Sequence, residues 1–207
     1  MPQRDRQRKP ARPEAFKDSK PTILVVSEGA VTEPEYLSGF KAACRNPRVD
    51  IEALGGQGVP RSVVEAAREA KTKNAALARR HEDENLRYDE VWCVFDVDDH
   101  PDVNNAKEMA RNNGIKVAIS NPCIELWLYL HFAEQPGAQG RDRVTSMLKE
   151  HLDGFDKHVK FEVFAIGYEH AAKRARRLDE EADAAKESGR NPTTGFWKLT
   201  RSIEESA

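Results

Sequence analysis

Val91-Trp92-Cys93-Val94-Phe95 runs directly into Asp96-Val97-Asp98. A short continuous apolar run of this kind reads as a strand buried on both faces, as in a parallel sheet. Ending such a strand on a carboxylate costs free energy unless the charge finds a partner. Thr22-Ile23-Leu24-Val25-Val26-Ser27 ends the same way, on Glu28, with Glu33 just beyond. Two such strands side by side bring their C-terminal ends to the sheet edge where α/β proteins build sites. Asp96 and Asp98 are two residues apart, so an extended chain projects both to one face. Carboxylates converging there repel one another, and a hard divalent cation relieves the repulsion. Mg²⁺ takes a few carboxylate oxygens and keeps several waters. The same repulsion predicts that neutralising Asp96 stabilises the metal-free protein.

Outward from these strands the chain alternates. Thr32-Glu33-Pro34-Glu35 carries a capping-box pattern and opens a helix to about Cys44. Val49–Leu54 alternates as a second strand, and Gly55-Gly56-Gln57-Gly58 turns the chain. Ser62 and Glu65 open a helix to about Arg80. After the 91–95 strand, a helix over 103–112 closes on Asn113-Gly114, and Ile115–Ser120 is a fourth strand. Asn121-Pro122 supplies an N-cap and a proline for a helix Cys123–Phe132. That helix is apolar nearly all round, through Ile124, Leu126, Trp127, Leu128 and Leu130, and so should be buried. Four strand–helix repeats predict an α/β core over 22–135, a three-layer, parallel-rich sheet. Residues 136–207 read as a mainly helical extension packed on that core. Its helices fall near 141–152, 168–188 and 194–205, with a short strand at Phe161–Ile166.

Residues 1–21 carry seven basic residues against three acidic, with almost no apolar content. Such a segment cannot bury enough surface to fold and reads as a disordered basic arm suited to nucleic acid. The chain as a whole has a net charge of −2, so contact with nucleic acid depends on a local basic surface. Cys44, Cys93 and Cys123 lie far apart without ligand spacing, and the last two sit in apolar runs as buried thiols. With no secretory leader and no apolar stretch near the ~18–20 residues of a membrane span, the expectation is a cytoplasmic protein without a membrane partner. There is no P-loop, zinc motif or nucleophile elbow. Acid-coordinated magnesium is the chemistry left.

Three further segments stand out. In Ser120-Asn121-Pro122-Cys123-Ile124-Glu125-Leu126-Trp127, Glu125 either complements the dipole of its helix or is a buried acid paired with a metal or a basic side chain. Asn191-Pro192-Thr193-Thr194 reads as a cap before the last helix. Lys173, Arg174, Arg176 and Arg177 precede Asp179, Glu180 and Glu181, which predicts a salt-bridged exposed face, with phosphate binding as the second reading.

Val26-Ser27-Glu28-Gly29 with Thr32-Glu33-Pro34-Glu35-Tyr36, then Val94-Phe95-Asp96-Val97-Asp98, the Ser120–Trp127 segment through Leu130-His131-Phe132, and Asn191-Pro192-Thr193-Thr194 together resemble the RloB-like family. That prokaryotic group accompanies restriction and phage-defence loci. Glutamate followed by Asp-x-Asp on a parallel sheet also resembles the Toprim fold of topoisomerases, primases and OLD-family nucleases. The resemblance implies Mg²⁺- or Mn²⁺-dependent phosphodiester chemistry on DNA or RNA, with other defence-system proteins as possible partners. It makes Glu28 and Glu33 the Toprim glutamates and Asp96 and Asp98 the Asp-x-Asp. These four would hold metal, and Glu125 would join them in catalysis. These residues contain no ATPase domain like that of OLD proteins and no tyrosine-bearing domain like that of topoisomerases, so cleavage is the simplest activity. A metal-dependent nucleotide-binding transferase and a non-catalytic metal-binding sensing module are the alternatives.

Overall fold

The computed structural model describes residues 21–55, 59–97, 102–135 and 137–207. Asp98, residues 1–20 of the basic arm and most of the Gly55–Gly58 turn lie outside the described residues. Five strands form one sheet: β1 (Ile23–Ser27), β2 (Val49–Ala53), β3 (Glu90–Asp96), β4 (Lys116–Asn121) and β5 (Thr193–Thr194). Their order is β2-β1-β3-β4-β5. The first four are parallel, and β5 runs antiparallel along β4. From β1 the chain passes to β2 on one side and then to β3 on the other. The strand order therefore reverses between β1 and β3, and a crevice opens there at their C-terminal ends.

Eight helices complete the described fold: α1 (Thr32–Ala43), α2 (Pro60–His81), α3 (Val103–Asn112), α4 (Ile124–Tyr129), α5 (Arg141–Lys149), α6 (Phe161–Phe164), α7 (Tyr168–Ala184) and α8 (Phe196–Glu205). Side chains alternate across a strand, and the two faces of the sheet build two cores. Leu24, Val26, Cys93 and Phe95 pack with Val63, Val64 and Ala67 of α2 and with Ala106 and Ala110 of α3. Ile23, Val25, Trp92 and Val94 pack into a larger core with Tyr36, Phe40, Trp127, Phe164, Phe196 and Leu199. The expected α/β class with helical C-terminal part is what forms. The C-terminal helices share the larger core with β1 and β3, and β5 adds an edge strand to the sheet.

Several local expectations are corrected. Thr32 does not cap α1; its hydroxyl donates to the Lys157 carbonyl at 2.8 Å, and the N-cap is Val31. Helix α2 opens earlier than Ser62, at Pro60, where the proline needs no hydrogen-bond partner. Asn121 is not a helix cap either. It is the last residue of β4, paired with Thr193, and the N-cap of α4 is Cys123. Both Asn121–Pro122 and Asn191–Pro192 are cis. Thr193-Thr194 is strand, and α8 begins after Gly195. The strand expected at Phe161–Ile166 is instead α6 followed by a 3₁₀ turn over Ala165–Gly167. Helical spacing lets both Phe161 and Phe164 bury against Tyr36, which they meet edge-on.

Candidate functional site

The crevice between β1 and β3 gathers acids from four separate segments. Glu28 follows β1 directly, and its amide donates to the Val94 carbonyl at 2.9 Å, which ties it to β3. Asp96 ends β3 beside Ser120 of β4. Glu33 lies in the first turn of α1 and Glu125 in the first turn of α4; they are only 5% and 7% exposed. Helix N-termini favour acids, but burial at this level removes solvent screening.

The electrostatics at Glu33 show that three of these acids meet. Burial pushes its carboxyl above the ordinary range, and the neighbouring Glu125 and Glu28 carboxylates push it further. The backbone amides of Glu33 and Gly29 oppose the rise. The carboxylate lies so close over Gly29 that a Cβ there would collide with it. Cys123 links this group to Asp96. Its thiol is buried, and its pKa is raised by burial first, then by the charges of Glu125 and Asp96. Oε2 of Glu125 is buried with no hydrogen-bond partner among the described residues. The structure thus brings together Glu28, Glu33, Asp96 and Glu125, while Asp98 lies two residues past β3, outside the described residues.

Asp96 has a partner that the sequence reading missed. Arg141 opens α5 and places Nη2 2.8 Å from Asp96 Oδ2. The only sign in the sequence is a cation at a helix N-terminus, where the dipole disfavours it. Oxygen-only carboxylate donors suit a hard divalent cation, and the unsatisfied Glu125 oxygen is the kind of atom such an ion would satisfy. Among the described residues, no three side chains are already set as a metal cage. The donor chemistry fits Mg²⁺ or Mn²⁺.

Arg174, Arg176 and Arg177 of the basic cluster on α7 are ion-paired. Arg174 and Arg177 both pair with Glu134, at 3.2 and 2.5 Å, and Arg176 pairs with Glu180 at 2.7 Å. Arg174 also donates to the Leu130 carbonyl. The bonds to Glu134 and Leu130 dock α7 on the chain that follows α4, which the sequence reading did not foresee; the expected i,i+4 pairing appears as Arg176–Glu180 and, at 3.5 Å, Arg177–Glu181.

The model of the RloB-like protein family matches residues 23–203. The chain belongs to the RloB-like family. No match emerged among curated proteins or among solved structures. The RloB-like match begins at β1 and ends inside α8, so it takes in the acidic crevice, Arg141 and the helices of the larger core. No described helix of this RloB-like chain is long and apolar enough to cross a membrane.

Proposed function

We propose that this RloB-like chain hydrolyses phosphodiester bonds in nucleic acid with Mg²⁺ or Mn²⁺, as part of a prokaryotic phage-defence system. One observation supports the reading: acids following β1 and on α1, β3 and α4 gather at the strand-order reversal, and Glu125 Oε2 there has no donor among the described residues. Glu28, Asp96, Asp98 and Glu33 would hold the metal. Glu125, at the start of α4, would orient the attacking water. The bound ion would lower the pKa of that water and stabilise charge on the departing oxygen. The chain's own part is to aim Glu28, Glu33, Asp96 and Glu125 from strand ends and helix starts. The crevice itself is acidic, so the basic 1–21 arm would supply cations for the phosphates.

The test is incubation of the pure chain with labelled DNA and RNA, single- and double-stranded, with Mn²⁺, with Mg²⁺ and with EDTA. Cleavage should need the metal and disappear in Asp98→Ala. Melting curves give a second readout. Metal at 100 times its dissociation constant should stabilise by about 2.7 kcal/mol. Deleting residues 1–20 should flatten the salt dependence of nucleic-acid binding by roughly 0.7–0.9 in log–log slope for each phosphate that the arm neutralises, with the metal shift intact. No cleavage in any combination, even with phage extract added as a trigger, would sink the nuclease reading. A melting shift with nucleotides but no cleavage would move the assignment to a nucleotide-binding transferase.

A further inference from the structure

We infer that Arg141 is the group that meets the scissile phosphate, and that Asp96 holds it until metal displaces it. The inference rests on the nuclease reading and deepens it. Glu28, Glu33, Asp96 and Glu125 bring four formal negative charges to the crevice, so a phosphodiester is repelled before any chemistry begins. Arg141 is a cation set against them, 2.8 Å from Asp96. Its side chain is 46% exposed while that of Asp96 is 12% exposed. The guanidinium therefore bridges the buried carboxylate and the solvent from which a phosphate would arrive.

Its position in the fold fits this role better than a structural one. Arg141 is the first residue of α5, where a cation opposes the macrodipole rather than supporting the helix. The core packing of α5 comes from Val144, Met147 and Leu148 instead. A planar guanidinium can bind two phosphate oxygens at once, a geometry that lysine does not reproduce. Metal and arginine compete for Asp96, since each takes its negative charge. With metal held by Asp96, the guanidinium would lose that carboxylate and turn to the phosphate. Metal loading and phosphate capture are thereby ordered in one exchange.

Competition gives this inference an unusual sign. Arg141→Gln should bind Mn²⁺ more tightly than the wild type, because a competing cation is gone. The same variant should bind a labelled single-stranded oligonucleotide in Ca²⁺ about tenfold or more weakly, the scale of charge-assisted hydrogen bonds. Its kcat/KM for cleavage should fall by at least as much. Arg141→Lys should keep the charge but recover only part of the oligonucleotide affinity. Mn²⁺ titration, fluorescence anisotropy and cleavage kinetics on both variants read these effects, with melting curves confirming the fold. If Mn²⁺ affinity falls together with oligonucleotide affinity, Arg141 merely props Asp96 and the inference is wrong. Oligonucleotide affinity unchanged in Arg141→Gln also overturns it. A wild type that cleaves nothing would defeat the nuclease reading instead, and the Mn²⁺ and oligonucleotide measurements would still judge Arg141.

Discussion

Glu33 concentrates the opposing forces of the site in one side chain. Burial and the charges of Glu125 and Glu28 raise its pKa, so its ionised form is disfavoured in the folded state. A group raised above its unfolded value of about 4.5 adds stability below that pH and loses it as pH climbs through the folded value. At neutral pH the Glu33 charge therefore destabilises the metal-free fold. Glu33→Gln should raise the melting temperature at pH 7 in EDTA, and the gain should fade as the pH approaches 4.5. A lower melting temperature at pH 7 would contradict this. The relief expected from neutralising Asp96 should be offset by loss of its ion pair with Arg141. Gly29 supplies a complementary test. Gly29→Ala puts a Cβ where the Glu33 carboxylate lies, and that carboxylate is the mobile end of a flexible side chain. The fold should survive while metal affinity drops about tenfold or more, the usual effect of removing the support behind a ligand. Mn²⁺ titration would show it.

At the scale of elements, α4 and the turns around it decide how firmly the site is held. Glu125 and Cys123 stand at one end of α4, and His131 follows the other. The 3₁₀ turn over Ala165–Gly167 packs on the His131 carbonyl so tightly that a Cβ on Gly167 would overlap it. Here the obstacle is backbone and cannot swing away. Gly167→Ala should cost about 1–3 kcal/mol, the usual range for overpacking, read as a lower urea midpoint. Metal affinity of the folded fraction should stay close to wild type, since the clash sits at the far end of α4. At the sheet edge, the Ser120 and Thr194 hydroxyls hydrogen-bond at 2.9 Å, and Gly195 donates to Ile119 at 2.8 Å. Those bonds keep β4 extended up to the residues that lead into α4.

The whole molecule hangs on the larger core, where a buried histidine makes stability depend on pH. His131 Nδ1 lies 2.9 Å from the Trp127 carbonyl, which can only accept, so Nδ1 carries the proton. Nε2 then accepts from the Tyr36 hydroxyl at 3.0 Å. Burial pushes the pKa of His131 down to about 4 from 6.5. A group depressed in the folded state adds stability above its unfolded value and loses it as pH falls toward the folded one. At about 1.36 kcal/mol per pH unit between the two values, roughly 3 kcal/mol should be lost between pH 6.5 and pH 4. Glu33, raised from about 4.5, acts in the opposite sense and should soften the fall. Urea unfolding across this range would reveal the slope. His131→Asn should lower stability at pH 7 through poorer packing yet flatten the acid-side decline. A wild-type profile flat from pH 7 to 4 would refute the assignment.

The parallel α/β sheet and the acids that follow its strands were legible in the sequence alone. Hydrophobic period and the residue that ends a strand are properties of some ten consecutive residues, and Val91–Asp98 and Thr22–Glu28 carry both. The helical character of residues 136–207 was equally legible. Capping patterns misled wherever a distant group claimed the same atoms: Thr32 turns to Lys157, 125 residues away, and Asn121 pairs with Thr193. The short strand misread at Phe161 had the same cause, since only the surrounding aromatic rings select its helical spacing. Tertiary structure alone decided which acid is paired and which is strained. Arg141 reaches Asp96 across 45 residues and His131 meets Tyr36 across 95. Charge and burial act through space, so the state of a carboxylate depends on what the folded chain sets beside it.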